Sequence, residues 1–491
     1  MTRKPILRGK LRLNRPFNQN FIMGCILFCL PGIYLALTGL GAGGGQPSSQ
    51  HVASLTNSIL YGLYTLFGWC AGTFLNYFKP KITICIGALG YPFYVGSLWY
   101  YDRIGHQGFP LFAGAFLGFT AALLWTSSGF IQFAYAEERD KAKYITIQWV
   151  LTSLGSTFGA LIAFCVNVNK TEVSGVSAPV YIVFIVIMCF AMIMTLLLIV
   201  DPKDVIRDDG RHIAIFKEPN MKDEIAGVLA VMTDPKIVIL LPAMFVGEMC
   251  LALVSSINAY YFNLRTRTLN NLLFQVIMIP APICLALIMD NPRIASRRTK
   301  GLLGAVSMGI ITLAATGGLL GWVIQNDVNR NNASPGVDWS DSAFAAGFIL
   351  YLLFGIVYAC FQIAVQWTLG SLTNDPVLCA RYSGAFKGTV SFGMCISFTI
   401  DSQNVSYRNQ IIIQLVLYVV GLASLFYVIA VYVTETNYFT EANVIVPASV
   451  EEKAVILGAV PTQAIEHEKE KERMASEGAK HVAAGGNQVA V

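Results

Sequence analysis

Charge is what this chain has least of. Asp, Glu, Lys and Arg make up 13% of its 491 residues, against roughly 25% in soluble globular proteins. Too few polar side chains remain to cover a soluble fold of this length, so the lipid bilayer is read as the surrounding medium. Histidine is scarce too. The five His (His51, His106, His212, His467 and His481) fall in loops, at helix ends or in tails, which leaves no imidazole within an apolar run for haem or metal chemistry. A phosphate-binding loop is missing: Gly41–Gly45 is glycine-rich but lacks the Gly-Lys-Ser/Thr that would follow it. No Ser-His-Asp arrangement is suggested, and no basic stripe stands apart from the helix flanks to hold nucleic acid. The 11 Cys, among them Cys25, Cys29, Cys70, Cys85 and Cys250, sit almost entirely inside apolar runs. No pair has zinc-ligand spacing and no disulfide framework is expected. The chain is therefore read as no enzyme, with no cofactor, no metal and no nucleic-acid partner.

What fills the chain is apolar: 55% hydrophobic residues and 43 Gly, the latter suited to membrane helices in close contact. Apolar runs long enough to cross a core of about 30 Å recur at 21–40, 52–76, 82–100, 109–135, 144–166 and 178–200, and again at 236–262, 271–289, 301–324, 342–370, 382–400 and 409–433. The expected fold class is all-α: a polytopic membrane protein of about twelve transmembrane helices in two six-helix halves, 19–200 and 236–433. A mixed-charge linker, 201–235, joins them and carries a short amphipathic helix near Met221–Met232. Tails at 1–18 and 434–491 flank the bundle. The second, with its charged run Glu466–Arg473 and Gly/Ala/Val-rich end, is expected to be disordered.

Loop charge fixes an expected orientation. Alternate loops carry Lys79 and Lys81; Arg139, Lys141 and Lys143; Lys203, Arg207 and Arg211; Arg293, Arg297, Arg298 and Lys300; and Arg381, while the others hold scattered cations such as Arg103 and Arg408. The positive-inside rule puts the first set and both tails in the cytoplasm, in the plasma membrane or an endomembrane. Sequons at Asn169, Asn332 and Asn404 fall in the opposite loops, where sugar is attached.

The halves echo one another weakly. Basic hinges follow the second run (Gly72–Lys81) and the eighth (Asp290–Lys300), and Ala142-Lys-Tyr144 pairs with Ala380-Arg-Tyr382. The hinge Gly-Thr-Phe-Leu-Asn-Tyr-Phe-Lys-Pro-Lys resembles a degenerate loop motif of the major facilitator superfamily. That motif carries an acidic residue where Asn76 stands, which puts its charge relay between the halves in doubt. The stretch Tyr135–Gly155 and the motif Gly87-Ala-Leu-Gly-Tyr-Pro92 are similar to the Unc-ninety-three-like branch of that superfamily, fungal members above all. The resemblance spans roughly residues 18–433. It implies a fold of two parallel repeats and a gating hinge drawn from Gly72, Asn76, Lys79, Lys81, Arg297 and Arg298. Some relatives act as regulators or trafficking partners of other membrane proteins.

Ionisable groups inside apolar runs are the first functional candidates, since each costs at least about 2.5–3.5 kcal/mol to place in hydrocarbon. Glu248 lies near the middle of the seventh run and reads either as a proton-coupling or cation-binding carboxylate or as a structural one. Lys387 in the eleventh run either pairs with Glu248 or an anionic ligand, or snorkels to the surface. Gln132 and Gln148, and Gln362 with Gln366 one turn apart, line a polar cavity or bond helix to helix. Gly155-x-x-x-Gly159 permits close helix contact, which in a two-half transporter falls where the halves rock. The leading function is a secondary transporter of an unidentified small solute, working by alternating access. The alternative is a non-transporting regulatory or trafficking partner of another membrane protein.

Overall fold

The computed structural model describes residues 9–35, 49–167, 178–216, 219–456 and 470–475. Among them, ten helices are long and apolar enough to cross a bilayer. One, Leu55–Ile104, is two crossings. Lys79 inside it takes φ 62° and ψ 162°, and Pro80 behind it withholds the N–H that would carry the helix on. A further helix, Pro376–Ser402, is 27 residues long. Its polar run Ser383–Ser391 dilutes its apolarity, but it packs within the bundle. Ten helices, one counted twice and one added, make twelve spans.

In chain order these are span one (Pro16–Leu35), two (49–78), three (80–104), four (Gly108–Ala134), five (Lys141–Asn167) and six (Ala178–Leu198). After the linker come seven (Pro235–Tyr261), eight (Leu264–Met289), nine (Arg297–Gln325), ten (Phe344–Leu372), eleven (Pro376–Ser402) and twelve (Tyr407–Tyr432). The all-α, two-half membrane fold expected from hydropathy is the fold observed.

The amphipathic helix of the linker forms as Met221–Thr233, with Asn220 capping the Lys222 amide and Asp223 and Glu224 in its first turn. It buries Glu224, Gly227 and Val231 and exposes Met221, Ile225, Leu229 and Met232. Asp234 then caps span seven, with Pro235 in its first turn.

The described segments on either side of the bundle both meet the linker. Arg15 pairs with Asp208 at 2.6 Å. The segment after span twelve is not the disordered tail expected there, at least through Ile456. Its Ile445 amide donates to Ile213 O at 3.2 Å and its Asn443 O accepts from Ile215 at 2.8 Å. Tyr438, Val444, Ile445 and Val446 are buried, and a helix, Ala448–Ile456, follows. The mean polarity of the tail hid the short apolar triplet Val444-Ile-Val446 that docks it.

Span five lines the seam of the halves, packed on spans eight and ten, while its Gly155 faces span one: a Cβ there would meet Phe28 O at 2.6 Å and Gly32 Cα at 3.0 Å. The seam also runs along spans two and eleven, where a Cβ on Gly68 would meet Gly388 Cα at 2.5 Å.

Candidate functional site

Span seven is broken at its middle. Helix runs to Val246 and resumes at Cys250, with the backbone bonds tightening to three-residue steps: Met249 to Val246 O at 3.2 Å and Leu251 to Glu248 O at 3.1 Å. Gly247, with its low helical preference, sits in the break; Pro242 lies a turn earlier, inside the continuing helix. Met249 O, at the N-cap of the resumed helix, takes further donors from neighbouring spans. Ser397 Oγ donates to it at 2.7 Å and Gln414 Nε2 at 3.1 Å.

Glu248 sits in this break, half-buried. Tyr61, Tyr64 and Tyr358 lie within its electrostatic reach, and its side chain makes no hydrogen bond or ion pair among the described residues. Gln362 adjoins the break, its Cγ 3.6 Å from where a Gly247 Cβ would stand. The Gln362 amide N–H donates to Tyr358 O at 3.1 Å, and its Oε1 has no partner.

Lys387 does not snorkel. It is 5% exposed, with Nζ 4.6 Å above the Trp125 ring and 5.0 Å from that of Phe386. It faces a cavity of about 10 Å³ shared with Gln366, Trp125, Trp149, Gln132 and Gln148, room for about one water. Lys387 and Glu248 attract one another without forming an ion pair. The Trp149 ring bridges toward the Glu248 side, 5.9 Å from Tyr358.

The N-half amides form a chain between helices. Gln148 Nε2 donates to Asn20 Oδ1 at 2.8 Å, while Gln148 Oε1 accepts from Ser128 Oγ at 2.6 Å and Gln132 Nε2 at 3.0 Å. This ties spans one, four and five together and fixes Gln148. Gln132 Oε1 and Trp149 Nε1 are left buried and unpartnered.

On the linker side the halves are latched. Glu138, after span four, pairs with Arg297 at the start of span nine at 3.0 Å; both are nearly buried. Glu138 also accepts from Asn374 Nδ2 at 2.7 Å and from the Asn437 amide at 2.8 Å. The hinge motif recovers its missing carboxylate from the linker helix. Glu224 accepts from Asn76 Nδ2 at 2.9 Å and pairs with Arg381 of span eleven at 3.1 Å. Lys79 reaches Asp201 at 2.7 Å and Arg298 donates to Val433 O at 3.3 Å. Gly72 lets span two approach span eleven closely, since a Cβ there would meet Ala380 O at 2.8 Å. Lys81, half-buried at the start of span three, makes no ion pair among the described residues. Glu224, Glu138 and Arg381 were missed as site residues. Glu224 was legible only as the buried polar residue of an amphipathic helix.

Asp290, the C-cap of span eight, also caps span five across the seam. It accepts from the Ala142 and Lys143 amides at 3.2 and 2.7 Å. Burial pushes its carboxyl up to about 7, against the pull of those two amides and of Lys300 and with the push of Asp140. Closing the latch therefore favours the protonated form. Its contribution is full below the solvated value near 3.8 and is lost as pH rises through about 7. Raising pH from 5 to 8 is expected to loosen the linker-side seam, read as a fall in the hydrogen-exchange protection factors of the Ala142 and Lys143 amides. Asp290→Asn should flatten that fall in protection.

The opposite face is closed too. Tyr61 stacks on Phe398 with centroids 5.7 Å apart, and Phe164 meets Trp339 at 6.2 Å. Arg330 pairs with Asp401 and lies 4.3 Å from the Tyr407 ring centroid. Arg265 holds the Asp338 carboxyl well below the usual carboxylate range. Asn332 and Asn404 are exposed on this face; Asn169 lies outside the described residues.

Two six-helix halves closed on both faces around a buried polar centre, with a broken helix beside it, define a membrane protein of the major facilitator fold. Solved structures agree. The Escherichia coli fucose:proton symporter matches with a TM-score of 0.59 and 12% identity, over 84% of this chain and 99% of that one. A proton:xylose symporter matches with a TM-score of 0.56 and 11% identity, over 84% and 94%. Within that fold the chain belongs to the UNC-93 family, whose model, described as "Ion channel regulatory protein UNC-93", matches residues 49–426. It is 42% identical to an uncharacterized membrane protein of Schizosaccharomyces pombe over 88% of each chain. It is 32% identical to UNC93-like protein 1 of Arabidopsis thaliana, over 87% of this chain and 93% of that one.

Proposed function

We propose that this protein is a secondary transporter that moves a small solute by alternating access, coupled to protons through Glu248. The observation that carries this reading is a carboxylate without a partner, placed at a break in a spanning helix at the centre of the bundle. That is where transporters of duplicated architecture bind substrate and coupling ion. In this reading the linker face and both ends lie in the cytosol, following the loop cations. Asn332 and Asn404 then face the lumen or exterior, open to glycosylation. Rocking of the halves about the spans two and eleven seam opens the centre to one side at a time.

Glu248→Gln keeps the shape and removes the titratable group. Uphill solute accumulation in vesicles, driven by a pH gradient, is expected to fall at least ten-fold, while downhill counterflow and surface level persist. Undiminished uphill accumulation would remove Glu248 from coupling.

A second reading is favoured by the regulatory description of the family and by the exposed Met221, Ile225, Leu229 and Met232 of the linker helix. Here the scaffold controls the level or activity of another membrane protein. Deletion of the gene would then change that partner's surface level, and the partner would co-purify with the intact chain but not with an Ile225→Asp, Leu229→Asp variant.

A further inference from the structure

Five groups have bonding capacity unused, Lys387, Trp149 and Gln132 on one cavity and Glu248 and Gln362 at the span-seven break, and they fall into two chemically opposite sets. On one side stand donors. Lys387 Nζ makes no hydrogen bond among the described residues and rests only against aromatic faces, and Trp149 Nε1 is buried without an acceptor. On the other stand acceptors: the Glu248 carboxylate, Gln362 Oε1 and Gln132 Oε1.

Leaving buried polar atoms unpaired is costly, and Gln362 Oε1, Gln132 Oε1 and Trp149 Nε1 are buried without partners. Lys387 and Glu248 stand on spans eleven and seven with no ion pair between them, and Trp125 lies beneath the ammonium. A ligand carrying one charge would satisfy one of them and leave the other bare. A ligand carrying both signs a few bonds apart satisfies both.

We propose that the central site binds a small zwitterion of the α-amino-acid class, its carboxylate on Lys387 and Trp149 and its ammonium on Glu248 and Gln362. Trp125, Trp149 and Tyr358 supply apolar faces for its side chain. The cavity of about 10 Å³ belongs to the closed form, so the ligand enters when one face opens and replaces the packing of these aromatics. This inference rests on the central site of the proposed transporter, and it adds the substrate class. Glu248 then meets the coupling proton and the ammonium in turn, so that a bound zwitterion displaces the proton.

The test uses the full-length purified protein and its intrinsic tryptophan fluorescence, since Trp125 and Trp149 both line the cavity. The probes are the standard α-amino acids, each hit paired with its deaminated acid and its decarboxylated amine; leucine, for instance, with 4-methylpentanoate and 3-methylbutylamine. The expected result is saturable binding of at least one amino acid, with both matched analogues at least ten-fold weaker. Lys387→Gln and Glu248→Gln should each weaken that binding at least ten-fold, so that counterflow by Glu248→Gln persists only at correspondingly higher substrate concentration. Phe392→Leu, on an exposed side chain of span eleven, should leave it unchanged and shows that such a variant folds. An acid that binds as tightly as its amino acid overturns the proposal in favour of a carboxylate bound with a proton, and so does the absence of binding by every amino acid. Binding without counterflow in proteoliposomes would remove transport while leaving the zwitterion site intact.

Discussion

Replacing Arg297 with Met is expected to open the linker-side seam and expose Cys379. The Arg297–Glu138 pair joins the two halves with side chains 6% and 11% exposed. Removing one partner of such a pair costs about 3–5 kcal/mol, because a buried charge is left behind. Asn374 and the Asn437 amide still donate to Glu138, which places the cost at the lower end, about 3 kcal/mol, or a shift of about 100-fold in the closed-to-open ratio. Cys379 is a built-in reporter. It is fully buried at the start of span eleven, its thiol near Thr373 O at 3.8 Å. With Cys379 as the sole cysteine, maleimide should label Arg297→Met far faster than the parent protein. The double variant Glu138→Gln, Arg297→Met removes both charges and should label slowly again. Equal labelling of single and double variants would show that the pair does not hold the seam.

The same network explains what sequence could and could not convey. Hydropathy marked the spans, span eleven least clearly because of its polar run Ser383–Ser391, since the demand for about twenty apolar residues per crossing leaves little freedom. Glu248 was legible for the same reason: a carboxylate in hydrocarbon stands out. Its break was not, since a glycine such as Gly247 is tolerated in spanning helices, and the donors that reach Met249 O beside it, Ser397 and Gln414, come from distant segments. The latch was hidden for a different reason. Asn76 looked like the loss of a charge, yet the carboxylate it needs comes from Glu224, 148 residues away. Gly227 belongs to that arrangement, because a Cβ there would overlap the Arg381 guanidinium. Only a helix face without a side chain lets Arg381 lie across the linker helix to reach Glu224. Pairings of this kind depend on where distant segments are brought together, and local composition carries no trace of them.

The seam between spans two and eleven leads to the second large effect. Gly68 and Gly72 on one span face Gly384 and Gly388 on the other, so two Gly-x-x-x-Gly faces meet backbone to backbone. A Cβ on Gly388 would meet Trp69 Cδ1 at 2.6 Å, Trp69 N at 2.9 Å and Thr65 O at 3.0 Å, and one on Gly384 would meet Gly68 O at 2.7 Å. Trp69 could turn aside, but the Thr65 and Trp69 backbones cannot, so Gly388→Val must push the spans apart. Overpacking of this sort costs about 1–3 kcal/mol, falling entirely on states in which the halves are closed. Gly72, taken from sequence as part of a hinge, is thus also half of a contact surface. The contact has a further consequence for chemistry, since Lys387 precedes Gly388 and its place over Trp125 depends on the approach that the glycines permit. A cysteine at Ser58 offers the readout, because Cys395 Sγ already lies 3.9 Å from Ser58 O along the same seam. Oxidative cross-linking of Ser58→Cys to Cys395 should be rapid in the parent background and at least ten-fold slower with Gly388→Val. Cross-linking at the parent rate would mean that spans two and eleven absorb the side chain without separating, and that the closed state does not depend on glycine at this crossing.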